Sequence, residues 1–257
     1  MSNQNDHYDL SSRNWAEVKN TPYDLALLPW GATEAHNYHL PYATDNYQLE
    51  GIIRLALPSA WARGAKIIVL PLIPYGINTG QMDVKLCMNM MPSTQYLVLK
   101  DLCEVILNAG IHKLIILNGH GGNNFKNMIR ELSVIYPNLF IAAADWYKAS
   151  NRNLVFVEPG DHADEMETSA MLHLHPDLVR PLQEAGDGAT QPFAVAELNE
   201  GFVTTQRAWT QITKDTGSGN PYLASSDKGE SFLKACAAKI SDLLVHCALQ
   251  PLDNWYK

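Results

Sequence analysis

Residues 25–45 read Leu-Ala-Leu-Leu-Pro-Trp-Gly-Ala-Thr-Glu-Ala-His-Asn-Tyr-His-Leu-Pro-Tyr-Ala-Thr-Asp, and the kind of fold is decided there. Leu25 to Trp30 is a continuous apolar run, which marks a strand buried on both faces; we place the strand over 24–29. Polar chemistry follows at once. Glu34 and His36 are two residues apart, a spacing that puts both side chains on one side of an extended chain. Asp45 comes next, just where Leu49, Ile52, Ile53, Leu55 and Leu57 take up roughly helical spacing. A carboxylate, an imidazole and a second carboxylate thus gather past the end of one strand, a mixed oxygen and nitrogen set that suits zinc or manganese. Asp45 also has a purely structural use, because a carboxylate at a helix start is favoured by the free N–H groups and the dipole.

Outward from this stretch the chain keeps alternating strand and helix. Residues 66–74 read as a second buried strand ended by proline. Residues 94–108 form a helix with Leu97, Val98, Leu102, Val105 and Ile106 on its apolar face and Gly110 closing it. A third strand, 112–117, runs into Asn118-Gly-His-Gly-Gly-Asn123 and a helix to about Tyr136. Residues 138–145 are a fourth strand. Helices follow at 165–173, stopped by Pro176, and at 227–249. Before the first strand, Ser12 is placed as the cap of a short helix at 14–19. The alternation predicts an α/β protein with a mostly parallel central sheet and helices on both faces, a three-layer αβα arrangement across one domain, 1–257. Ligands of such sheets collect at the carboxyl ends of the strands, and Glu34, His36 and His120 all lie just past such ends. Residues 76–91 have no period, and a loop of that length inside a domain is usually functional. Residues 184–222 read as loops with short strands around the mouth of the site.

Composition narrows the classes. A 257-residue chain with 46% hydrophobic and 18% charged residues can bury a substantial core. Its formal charge of −8 argues against sequence-independent nucleic-acid binding, which needs a basic face. No apolar run approaches the length of a membrane helix, and the polar start lacks the pattern of a signal peptide. The expected location is therefore the cytoplasm. Cys87, Cys103, Cys236 and Cys247 form no Cys-x-x-Cys pair, so reduced, partly buried thiols are expected, with Cys87 open to a pocket-lining role. His120 by itself has three readings: an incidental residue of a glycine turn, part of an anion-binding loop at a helix start, or a metal ligand. Asn124 stands where a dinucleotide fingerprint needs its third glycine, and no Gly-Lys-Ser/Thr follows.

The chain also resembles a known family. Thr33-Glu34-Ala35-His36 with Leu40-Pro41 and Thr44-Asp45 is similar to the first metal motif of the creatininase family of amidohydrolases. The likeness returns at Asn118–Asn123, at His162-Ala-Asp-Glu-Met-Glu-Thr-Ser169, and at Gly219-Asn-Pro221 with Lys228-Gly229. These blocks keep their order along nearly the whole chain. The resemblance implies a centre of two divalent ions, zinc or manganese and also iron. Glu34, Asp45 and His120 would hold one, and His36, Asp45 and Glu167 the other, with Asp45 bridging. Glu167 enters because creatininase proper has a glutamate two residues after the matching histidine, where this chain has Gly122. His162 matches the family's proton-handling histidine, with Asp161 placed to orient it, and His39 is expected to bond a ligand carboxylate. The substrate wall would include Asn78, Gly121 (an aromatic in creatininase) and Trp146, with Trp209 on the other side and Met88, Met90 and Met91 crowding the loop.

The leading expectation is a dinuclear hydrolase of a small non-peptide amide, lactam or formamide. Three others stand beside it. A short peptide or peptide-derived precursor would suit the apolar 87–91 loop. A phosphoesterase would want Lys or Arg near the metals, and the ligand blocks contain none. A non-catalytic metal-binding protein would not need His162. The resemblance further implies a ring-like homo-oligomer, often a hexamer.

Overall fold

The computed structural model describes residues 7–256; the polar start, residues 1–6, lies outside the described residues. Strand β1 (Leu25–Trp30) is buried at all six positions and pairs in parallel with both β2 (Ile67–Val69) and β3 (Lys113–Asn118), and β3 pairs in parallel with β4 (Phe140–Asp145). The sheet order is β2-β1-β3-β4. Strand β2 is shorter than the apolar run suggests. Pro71 and Pro74 have no N–H to give a ladder, and beyond Val69 only an isolated bridge, Trp30 to Ile73, continues the pairing.

The two faces of the sheet follow the alternation of side chains. Leu25, Leu27, Ile115 and Leu117 pack with helices α2 (Thr44–Ala62), α5 (Glu165–Leu174) and α7 (Ser226–Leu249). Ala26, Leu28, Trp30, Leu114 and Ile116 pack with α3 (Pro92–Asn108) and α4 (Lys126–Ile135). This is the expected three-layer αβα arrangement. Each fully buried Leu or Ile contributes roughly 1.5–3 kcal/mol of transfer free energy, and both layers hold many. Short helices α1 (Trp15–Val18) and α6 (Trp209–Ile212) and the antiparallel pair β5 (Gly160–His162) and β6 (Ser218–Gly219) complete the chain. Helix α1 is capped by Asn14 in a capping box with Glu17, not by Ser12, which lies in a separate turn at Leu10–Ser12.

Two glycines set how closely the helices approach. A Cβ on Gly229 would lie 1.9 Å from the Ser169 carbonyl oxygen, so α7 crosses α5 backbone against backbone. A Cβ on Gly51 would lie 2.6 Å from a Leu174 methyl. Helices α2, α5 and α7 therefore form one tightly packed layer on one face of the sheet. Those two strands are the point where connections leave the sheet in opposite directions, since β1 leads to β2 on one side and β3 leads to β4 on the other. Among the described residues no helix is long and apolar enough to cross a membrane.

Candidate metal centre

Backbone carbonyls orient three histidines. His36 Nδ1 lies 3.1 Å from the Glu34 carbonyl, His120 Nε2 lies 3.1 Å from that of Ile77, and His162 Nε2 lies 2.8 Å from that of Ala35. A carbonyl only accepts, so in each ring the outer nitrogen carries the proton. The inner nitrogens then point at carboxylates. His36 Nε2 is 3.1 Å from Asp45 Oδ1 and 3.8 Å from Glu167 Oε2. His120 Nδ1 is 2.8 Å from Glu34 Oε1 and 3.2 Å from Asp45 Oδ2, and His162 Nδ1 is 3.8 Å from Glu34 Oε1. Metal-bound histidines are held in this way, the outer N–H fixing the tautomer that offers the inner lone pair.

The donors overlap in sets. Glu34, Asp45 and His120 form one; His36, Asp45 and Glu167 form another; Glu34, His36 and His162 form a third. Within each set the donor atoms lie within 4.8 Å of one another, and all are buried. Glu34 Oε1 and Asp45 Oδ2 accept no hydrogen bond although they are sealed from solvent. Buried carboxylate oxygens facing an imidazole lone pair need a positive charge among them. A divalent cation fits that requirement and that donor set.

Without an ion the same crowding is met by protons, and the inner nitrogens of His36 and His120 then hold the proton that a bound cation would displace. Burial pushes Glu34 up, but the imidazoles of His120, His162 and His36 outweigh it and hold the carboxyl well below its usual range. Burial would lower His36, yet Asp45, Glu167 and Glu34 raise it to about 10. His120 rises for the same reason, with Glu34 and Asp45 overcoming burial. Burial raises Glu167 to about 8, aided by Asp45 and Asp164 against His36. His162 goes the other way: burial and the charge on His36 lower it, so near neutral pH it is an unprotonated base at Nδ1.

The family model for creatininase, described as creatinine amidohydrolase, matches residues 11–244. The chain belongs to the creatininase family. Its fold is that of the solved creatininase-family structures it resembles. A candidate creatinine amidohydrolase from Bacteroides fragilis NCTC 9343 is 41% identical and matches 99% of this chain and 100% of its own, with a TM-score of 0.91. A variant creatininase of Zn–Zn type shares the fold at 21% identity and a TM-score of 0.73, covering 92% of this chain and 96% of its own. The mycofactocin precursor peptide peptidase of Mycobacterium tuberculosis strain H37Rv is 26% identical over 241 residues, 88% of this chain and 86% of that protein.

Within this creatininase-family hydrolase the long loops supply the rest of the site. Asn118 holds the His120 loop through its side chain, accepting from His120 N and Asn123 Nδ2 and donating to the His120 carbonyl. A Cβ on Gly122 would lie 2.3 Å from the Ile77 carbonyl oxygen and 2.4 Å from His120 Nε2, so in this loop the position is closed to a glutamate. Glu167 reaches the centre instead from the first turn of α5, whose N-cap Asp164 accepts from Met166 N and Glu167 N.

A cavity of about 610 Å³ opens over the donors, lined among others by Asn78, Gln81, Gly121, Tyr147, Asp161 and Trp209. Trp209 stands edge-on to His162, with ring centroids 5.3 Å apart. Asn78 is buried and gives its Nδ2 to the Met88 carbonyl, while its Oδ1 has no partner. Lys148, Arg152 and Arg207 also line the cavity, each paired with an aspartate: Asp145, Asp164 and Asp161. The ligand blocks lack cations as read, but the mouth of the cavity has three, already neutralised.

Several expectations need correction. Asp161 does not orient His162. It precedes it on β5 and also lines the cavity, but it pairs with Arg207 at 3.1 Å; the Ala35 carbonyl takes the orienting role. Trp146 is wholly buried against Phe232 and does not line the cavity; Tyr147, the next residue, does. His39 bonds Thr168 Oγ1 at 2.8 Å, not a carboxylate. Neither Cys87 nor Met88, Met90 or Met91 lines the cavity. Gln81 escaped the sequence reading. It is buried, its Nε2 donates to Glu34 Oε2, and its Oε1 accepts from the Cys87 thiol. Nothing in an aperiodic loop marks it, because its role depends on where the loop folds.

Proposed function

We propose that the chain, as one amidohydrolase domain over 1–257, binds two divalent ions, zinc or manganese (iron also suits the donors), and hydrolyses the C–N bond of a small cyclic amide or formamide. The observation that carries this reading is the trio of carbonyl-tethered histidines aimed at shared, undersatisfied carboxylates. Glu34, Asp45 and His120 hold one ion and His36, Asp45 and Glu167 the other, with Asp45 common to both. Bound there, the ions supply Lewis acidity that activates water and polarises a carbonyl.

The chain's own residues do the rest. In hydrolysis a C–O bond forms, the C–N bond breaks and the leaving nitrogen gains a proton. His162 is the carrier of that proton: Nε2 is tied to Ala35 and Nδ1 faces the Glu34 carboxylate, free to take it up and pass it on. Glu167, as a buried carboxylate, holds its ion and faces the same space. The unpartnered Asn78 Oδ1 accepts an N–H of the substrate, and Gly121 leaves the wall beside His120 without a side chain. The cavity volume falls in the range of small-molecule sites. The protein works on this reading as a homo-oligomer, with a hexamer favoured.

A peptide substrate is the second reading, favoured by the name of the mycobacterial relative. One assay separates the two. Metal-loaded protein is offered lactams, formamides, creatinine and short peptides, with and without chelator. Chelator-sensitive release of amine from the non-peptide amides supports the proposal. Release from the peptides alone shifts the reading to the peptidase, and release from none removes both.

A further inference from the structure

The chain leaves β4 at Asp145, and the next three side chains part company. Trp146 enters the core, and Lys148 is exposed and pairs with Asp145. Tyr147 does something between. Its ring packs against the core cluster, edge-on to Trp146 with centroids 6.1 Å apart, yet the residue lines the cavity over the metal ligands. Its hydroxyl lies 3.9 Å from where a Cβ on Gly121 would stand, beside the residue that follows His120. Within the described structure the phenol makes ring contacts but no hydrogen bond to the protein.

Three other polar side chains of this wall already have partners. Gln81 spends its amide on Glu34 and Cys87, Asn78 gives its N–H to Met88, and Arg207 is paired with Asp161. Tyr147 is left as a neutral O–H donor on a rigid ring. Burial and the carboxylates of Asp145, Asp45, Glu167 and Asp161 push its phenol well above the ordinary range, so it keeps its proton.

We propose that Tyr147 Oη donates a hydrogen bond to the oxygen of the scissile carbonyl, and that this bond strengthens as the oxygen gains charge. The phenol transfers no proton, so the balance of the hydrolysis is unchanged. The proposal rests on the amide-hydrolase reading, and donors aimed at developing oxyanions are among the larger catalytic effects.

Tyr147→Phe keeps the ring in place and removes the donor. Wild type and variant are loaded with zinc and compared on whichever amide of the panel wild type hydrolyses. The expected result is about a 100-fold loss in kcat/KM, mostly in kcat, with unchanged metal per chain and melting temperature. A kcat/KM within twofold of wild type overturns the proposal, and so does loss of bound metal, which would assign Tyr147 to the structure of the centre. A second arm uses acetohydroxamic acid, whose carbonyl oxygen stands in for that of the substrate. Calorimetry is expected to show about tenfold weaker binding to the variant, the share of one hydrogen bond; equal binding, or none to either protein, overturns the proposal. If wild type hydrolyses nothing while the hydroxamate result holds, the amide-hydrolase reading fails and the scissile-carbonyl role with it, and Tyr147 Oη keeps only the role of donor to a bound carbonyl oxygen.

Discussion

Glu167 carries the heaviest single-residue claim, because it must reach the centre that Gly122 cannot serve. It sits in the first turn of α5, and Ala163, with φ of 50°, makes the left-handed step that lets His162 and Glu167 converge. The Ala163 N–H donates to Glu167 Oε2, which fixes the carboxylate toward His36. Glu167→Gln keeps size and fold but removes the charge, so metal analysis is expected to fall to about one ion per chain, and full occupancy in the variant rejects the ligand assignment. At this scale the sequence was informative where chemistry and spacing coincide. Glu34, His36 and His120 were legible because they follow strand ends, and Asp45 because it stands where the helical spacing of α2 begins. Trp146 was placed one residue short of Tyr147, because the chain leaves β4 there in a 3-10 turn, and the role expected of Asp161 fell to the Ala35 carbonyl, a partner far away in sequence. Tyr147 and Gln81 were not legible, because their roles depend on tertiary placement of β4 and the 76–91 loop.

Helix α5 is held by two contacts that each predict an outcome. Gly229→Ala introduces a Cβ at 1.9 Å from the Ser169 carbonyl. Overpacking of this kind costs about 1–3 kcal/mol, whereas helix propensity alone would give roughly 1 kcal/mol of stabilisation. Denaturant melts are expected to show a destabilised variant; a more stable one would mean that α5 and α7 do not touch as described. The second contact is the buried Glu165 carboxylate, which accepts from Val157 N, Glu158 N and Lys228 Nζ. Burial opposes its charge, but these donors win and lower its pKa below the ordinary 4.5. A depressed carboxyl stabilises the fold above pH 4.5 and loses that contribution as pH falls through its folded value. Glu165→Gln is therefore expected to cost about 1–3 kcal/mol at neutral pH, with a gap to wild type that closes in acid. A gap that stays constant between pH 7 and 3 contradicts this. Elements were legible as a class, because continuous apolar runs and helical spacing recur from β1 to α7. The truncation of β2 at Val69 and the capping of α1 by Asn14 depended on hydrogen-bond geometry that periodicity does not carry.

At the scale of the whole molecule, the sheet and the chemistry meet at one place. The carboxyl ends of β1 and β3 flank the point where the chain order reverses, and the donor sets sit directly past them. Helix α3 leaves Leu97 and Val105 exposed, although its apolar spacing placed them on the face turned to the core. Sedimentation is expected to give a homo-oligomer, and a monomer at micromolar concentration contradicts that expectation. The central claim, a two-ion centre built from Glu34, His36, Asp45, His120 and Glu167, is tested most directly by elemental analysis of protein purified without chelators. Close to two divalent ions per chain are expected. No metal, with none taken up on adding zinc or manganese, would contradict the claim.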